Sequence, residues 1–111
     1  MAAKIKVLLV DDHAIVRDGL KMLLDLNASI QVCGEAGTLK DALEIIPKAK
    51  PELILLDFKL PDGDGVSSCT MIKRLYPEVK IIILTAYSQN HLVLEAIRAG
   101  ADGYQIGRAH V

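Results

Sequence analysis

Lys4–Asp12 reads Lys-Ile-Lys-Val-Leu-Leu-Val-Asp-Asp (KIKVLLVDD). An apolar, β-branched run of strand length that stops abruptly at two acids is the pattern of a strand buried on both faces in a parallel sheet. Downstream, the apolar residues Ile15, Val16, Leu20, Leu23 and Leu24 recur at helical spacing between His13 and Leu26, which predicts an amphipathic helix closed by Asn27-Ala28-Ser29. Ile30 to Ala36 reads as a second, weaker strand. Gly37-Thr38 opens a second helix, expected to finish near Ile46 because Pro47 disfavours helical geometry in the residue before it.

The alternation continues. Leu53 to Leu56 (LILL) runs straight into Asp57, and a loop with Pro61, Gly63 and Gly65 follows. A third helix is predicted from about Val66 to Leu75, closed by Tyr76-Pro77. Lys80 to Leu84 (KIIIL) is another buried strand, ending in Thr85-Ala86. A helix from Ser88 to Ala99 with Gly100 at its end, then the start of a fifth strand at Ala101 to Ile106, complete the pattern. Strands alternating with helices imply an α/β fold: a doubly wound parallel sheet with helices on both faces. Right-handed crossovers put every strand's C-terminal end on one edge, where such proteins keep their sites.

The chain has 111 residues, one domain's worth. Hydrophobic residues make up 51%, enough for a real core, while aromatics at 4% leave little for stacking nucleic-acid bases. Thirteen Lys and Arg against fourteen Asp and Glu give a net charge of −1, which supplies no whole-chain attraction to DNA or anionic membranes. No apolar run approaches the roughly 20 residues of a membrane helix, and the start runs directly into a strand rather than a secretion signal. Cys33 and Cys69 lack metal-ligand spacing and fit two reduced thiols, Cys33 in the core and Cys69 on a helix, in a cytoplasmic protein.

Three acids fall at the strand ends that carry sites. Asp11 and Asp12 follow the first strand and Asp57 the third, and in a doubly wound sheet those strands are neighbours. Gathered carboxylates repel and raise one another's pKa values unless a cation neutralises them. A hard divalent ion held by oxygen, Mg²⁺ above all, is the natural solution. Thr85 can place a hydroxyl at the same edge. His13 begins the first helix and reads as a surface or structural residue rather than a catalytic base or phosphate donor. Pro61, Gly63 and Gly65 shape a turn at the rim; no phosphate-cradling GxxxxGK pattern is present.

In this order and spacing, VLLVDDHAIVRDGL (7–20), VCGEAGTLKDAL (32–43), PELILLDFKLPDGDG (51–65), IIILTAYS (81–88) and AIRAGADGY (96–104) resemble the receiver domain of two-component response regulators, and within it the NarL/FixJ group. The resemblance implies a flavodoxin-like (CheY-like) five-stranded sheet of order 2-1-3-4-5. It makes Asp57 the phosphate acceptor, with Mg²⁺ held by Asp12 directly, by Asp11 through water, by Asp57 itself and by the backbone carbonyl of Lys59. Thr85 would hydrogen-bond a phosphoryl oxygen and Tyr104 would be the switch aromatic. The implied partners are a sensor histidine kinase, DNA only through a C-terminal helix-turn-helix domain absent from this chain, and a second copy on phosphorylation. Activity beyond self-phosphorylation and slow autodephosphorylation is not expected.

The end departs from the family. A Lys is expected shortly after the switch aromatic, but Gly107 stands there, and the last helix of the family is missing. Ile106 to Val111 (IGRAHV) is what a widely used sequencing-library adapter encodes in one frame, with a stop codon next. Residues 1–105 are therefore expected to be an incomplete receiver domain and 106–111 a non-native tail. An authentic Gly107 would instead favour a phosphate-independent interaction domain. A third reading, an aspartate-nucleophile phosphohydrolase, usually needs a second Asp two residues after the nucleophile, where this chain has Lys59.

Overall fold

The structure, a computed structural model, describes residues 4–84. Its elements run β1 (Ile5–Val10), α1 (Ala14–Asp25), β2 (Ile30–Ala36), α2 (Leu39–Ala49), β3 (Leu53–Asp57), a two-strand hairpin of β4 (Lys59–Leu60) and β5 (Gly63–Asp64), α3 (Gly65–Leu75) and β6 (Lys80–Leu84). The main sheet has the order β2-β1-β3-β6 and every pairing in it is parallel. This matches the first four strands of the expected 2-1-3-4-5 order. The expected fifth strand and the helix before it lie outside the described residues.

Strand parity builds the two faces, because successive side chains of a strand point to opposite sides. Val7, Leu9, Leu53, Leu55, Ile82 and Leu84 form one core layer with Leu20 and Leu24 of α1. Leu8, Val10, Ile54, Leu56 and Ile83 form the other, with Ala42 and Ile46 of α2 and Ile72 of α3. The apolar arc of α1 is wider than the sheet it covers: Leu20 and Leu24 are buried, but Ile15, Val16, Met22 and Leu26 are exposed.

The second helix corrects one expectation. It runs through Pro47 to Ala49 and ends only at Lys50, whose left-handed conformation (φ 51°) lets its N–H donate to the Ile46 carbonyl. Pro47 removes one amide donor, yet the helix gains on both sides of it. Ile46 is buried in the core, and Ala49 packs close over Gly34, where an added Cβ would meet Ile45 and Leu8 side chains at 3.2 Å. Packing outweighs the local preference of the residue before proline. The first turn is secured by Thr38, whose side chain accepts from the Asp41 N–H at 3.0 Å.

The loop expected after Asp57 is also more ordered than its composition suggests, since it folds into the β4–β5 hairpin. Cys33, read as a core thiol, is only half-buried. It is the extra residue where the β1–β2 register shifts, Val7 facing Val32 and Leu8 facing Gly34. Cys69 lies on α3 as expected, against the second core layer.

Candidate phosphoryl-acceptor and cation site

The register of the central strands makes the site. Val10 of β1 faces Leu56 of β3, so one step further along each strand Asp11 and Asp57 emerge side by side. Asp57 in turn faces Leu84 of β6, and the Phe58 N–H donates to the Leu84 carbonyl at 2.8 Å, tying the end of β3 to the next strand. Burial of the strands is thus what holds these carboxylates at one edge.

Local contacts fix each residue. The Asp11 N–H donates to the Ala36 carbonyl of β2. Its own carbonyl accepts from the Arg17 guanidinium, which also donates from Nε to Glu35 at 3.1 Å. Asp57 Oδ1 accepts from the Lys59 N–H at 3.3 Å. Below it, Gly65 lets α3 start hard against the chain: an added Cβ would come within 2.8 Å of Phe58 Cα. The Gly65 N–H also donates to the Phe58 carbonyl. Asp64 caps α3, accepting from the Ser67 N–H at 2.7 Å, and Asp62 accepts from the Leu39 and Lys40 N–H groups at the start of α2. These amide bonds hold the Asp62 and Asp64 carboxyls below the usual carboxylate range.

Asp11, Asp12, His13 and Asp57 each offer a ligand atom within 4.8 Å of the others. Their side chains grade from sheltered to open, at 9, 35, 65 and 17% exposure respectively. Burial raises the Asp57 pKa first and the charges of Asp11 and Asp12 add to it, while the Lys59 N–H and His13 oppose. Such a group holds its charge at a cost that a cation would relieve. The donor set fits Mg²⁺: hard carboxylate oxygens, clustered, and open enough to admit water and a substrate.

His13 is the residue that sequence reasoning undervalued. Its ring is exposed, as expected of a surface residue, yet Nδ1 lies 2.9 Å from Asp11 Oδ1, 3.0 Å from Asp12 Oδ1 and 4.0 Å from Asp57 Oδ2. The hydrogen bond with Asp11, then the charge of Asp12, raise the imidazole pKa. Adjacency to the acid pair was the available signal. The Lys59 side chain is exposed. Thr85 and Tyr104 lie outside the described residues.

A separate groove of about 420 Å³, lined by Ile46, Pro47, Leu75, Tyr76, Pro77 and Val79 among others, lies between the C-terminal ends of α2 and α3. That places it at the opposite edge of the sheet, and it brings no carboxylate cluster together.

The family model for the response regulator receiver domain matches residues 7–105. The chain belongs to that family. It is 42% identical over 102 residues to the DNA-binding transcriptional activator DevR/DosR of Mycobacterium tuberculosis, a match covering 92% of this chain and 47% of that protein. It is 41% identical over 100 residues to the response regulator protein VraR of Staphylococcus saprophyticus, covering 90% of this chain and 48% of the other. Both are NarL/FixJ-type regulators, and the receiver spans about half the length of the curated relatives it matches. Among solved structures, the isolated receiver domain of RcsB from Salmonella enterica serovar Typhimurium superposes with a TM-score of 0.86 at 23% identity, over 93% of this chain and 92% of that one. That likeness establishes the flavodoxin-like fold. No helix among the described residues is long and apolar enough to cross a membrane.

Proposed function

We propose that Asp57 is the phosphoacceptor of this receiver domain and that Asp11, Asp12, Asp57 and the Lys59 backbone carbonyl hold Mg²⁺ beside it. The observation that carries the reading is the convergence of the three carboxylates at one sheet edge, with Asp57 one register step from Leu56 and beside Asp11. An Asp57 oxygen attacks the phosphorus of a phosphohistidine on a sensor kinase. The new O–P bond forms an acyl phosphate as the P–N bond breaks, and the donor imidazole leaves carrying the electron pair. Mg²⁺, when bound, offsets the charge on the phosphoryl oxygens. The chain's own residues position the nucleophile: the Lys59 N–H fixes one Asp57 oxygen, and the Arg17 clamp on the Asp11 backbone fixes the neighbouring acid.

Phosphorylation adds roughly −1.5 to −2 charges at neutral pH. Thr85 would bond a phosphoryl oxygen, and Tyr104 would move into the space it leaves, biasing a two-state surface. In the whole protein that surface would control DNA binding through an output domain, with a histidine kinase as donor, in the cytoplasm, and with pairing of phosphorylated copies. The relatives' regulatory names and the two free cysteines support this setting. Slow autodephosphorylation, not turnover, is the expected chemistry. A hydrolase would need an acid/base carboxylate where Lys59 stands.

The test is incubation with acetyl phosphate and Mg²⁺, read by intact mass. The wild type is expected to gain the mass of one phosphoryl group and Asp57→Asn none. Release of inorganic phosphate without a labelled protein would point to a hydrolase, and no labelling with or without Mg²⁺ would refute the proposal.

A further inference from the structure

We infer that Asp62 is a positioning residue for phosphoryl uptake: by tying the β4–β5 turn to the start of α2, it holds the Lys59 backbone against the acceptor site. The inference rests on the acceptor and cation reading above and adds a residue that touches neither the phosphoryl group nor the ion. Its effect runs through the hairpin. The Lys59 N–H donates to Asp57 Oδ1 at 3.3 Å, and that reading gives the Lys59 carbonyl to the cation. Both groups belong to a hairpin of two residues per strand, Lys59 facing Asp64 and Leu60 facing Gly63, with Pro61 and Asp62 as its turn. A ladder that short does not fix its own position, so its anchors decide where the Lys59 backbone stands.

Leu60, buried in the second core layer, and Asp64, capping α3, hold the two strands. Asp62 holds the turn between them, and each of its carboxylate oxygens has its own donor. Oδ1 accepts from the Leu39 N–H at 2.8 Å and Oδ2 from the Lys40 N–H at 3.0 Å. Two bonds to adjacent amides fix the orientation of the carboxylate as well as its distance, and a helix N-terminus favours its charge. The base of the tether is firm. Ala42 and Ile46 of α2 are buried in the second core layer, and Thr38 caps the first turn separately through the Asp41 N–H. The helix therefore has a start without Asp62, and the distinctive effect of these bonds falls on the hairpin. Beneath β5 the Ser68 hydroxyl is fully buried and makes no hydrogen bond among the described residues, although an added Cβ on Gly63 would come within 3.1 Å of its Oγ. Ser68 thus gives the turn no polar hold from below, which leaves that restraint to Asp62.

Mg²⁺ titration and acetyl phosphate labelling of the whole chain test this in wild type, Asp62→Ala, Asp62→Asn and Thr38→Ala, with urea unfolding confirming that each is folded. Thr38→Ala is the control, because it removes a cap from the same helix without touching the hairpin. In Asp62→Ala, Mg²⁺ affinity is expected to fall about tenfold, the scale on which a supporting residue acts on a metal centre, and labelling to slow with it. Asp62→Asn, which keeps one acceptor oxygen, falls between Asp62→Ala and wild type. Thr38→Ala binds Mg²⁺ and labels as wild type does. The metal-free proteins give an independent readout: the Lys59 amide resonance moves in Asp62→Ala and stays in place in Thr38→Ala. If Asp62→Ala does not fold, Asp62→Asn against Thr38→Ala decides by the same criteria. Wild-type affinity, labelling and Lys59 resonance in the Asp62 variants overturn the inference and leave Asp62 a helix cap only. Equal losses in Thr38→Ala overturn it too, since the stability of α2 rather than the hold on the turn would then set the site. A wild type that neither binds Mg²⁺ nor labels at Asp57 defeats the acceptor reading itself, and the inference with it.

Discussion

Asp57 sits where burial and two neighbouring carboxylates make its charge costly. The sign of the effect on stability follows. A carboxyl whose folded pKa lies above its unfolded value is protonated without cost below the unfolded value, and its ionisation penalises the folded state as pH rises through that window. Asp57→Asn, which cannot ionise, is therefore expected to be more stable than wild type at neutral pH without divalent cations. The advantage should shrink as pH falls from the raised folded-state value towards the unperturbed 3.8 and be absent below it. Thermal melts of both proteins across pH, with a chelator present, measure it; a constant difference at all pH values would contradict the electrostatic account. Asp11, Asp12 and Asp57 were legible as a site because acids at the ends of apolar strands are unusual company. His13 was not, because sequence spacing says nothing about where an exposed ring turns.

Among the elements, strands were easier to read than the segments between them. β1, β3 and β6 are contiguous aliphatic runs buried on both faces, a signal independent of partners. Helix ends depend on what packs against them: Pro47 argued for a stop near Ile46, but the contacts of Ile46 and Ala49 carried α2 onward. The β4–β5 hairpin is two residues per strand, too short for any periodicity to announce. The start of α2 was visible in Thr38, and its cap has a measurable consequence. Thr38→Ala removes the acceptor for the Asp41 N–H and is expected to cost about 1 kcal/mol in urea unfolding. A change of a few tenths or less would mean that the Asp62 carboxylate, which accepts from the next two amides along the turn, already secures it.

At the scale of the molecule, both core layers meet at the central strands, so the site's geometry and the fold's stability share residues. Ile54 is fully buried in the second core layer, two positions before Leu56 and three before Asp57. Ile54→Ala is expected to cost about 2–5 kcal/mol, a large share of the roughly 5–15 kcal/mol that holds a domain together. It should weaken phosphoryl uptake only as far as it unfolds the chain, which parallel melting and labelling experiments would show. Labelling lost while the melt is unchanged would mean that β3 tunes the acceptor directly.

The most direct measurement locates the phosphoryl group. After acetyl phosphate treatment with Mg²⁺, borohydride reduces an aspartyl phosphate to homoserine, and peptide sequencing by mass spectrometry reads its position. Homoserine at residue 57, in the peptide carrying LILLDFK, is the predicted result. Homoserine at Asp11 or Asp12, or a stable phosphate on a serine, threonine or histidine with residue 57 unmodified, would contradict it.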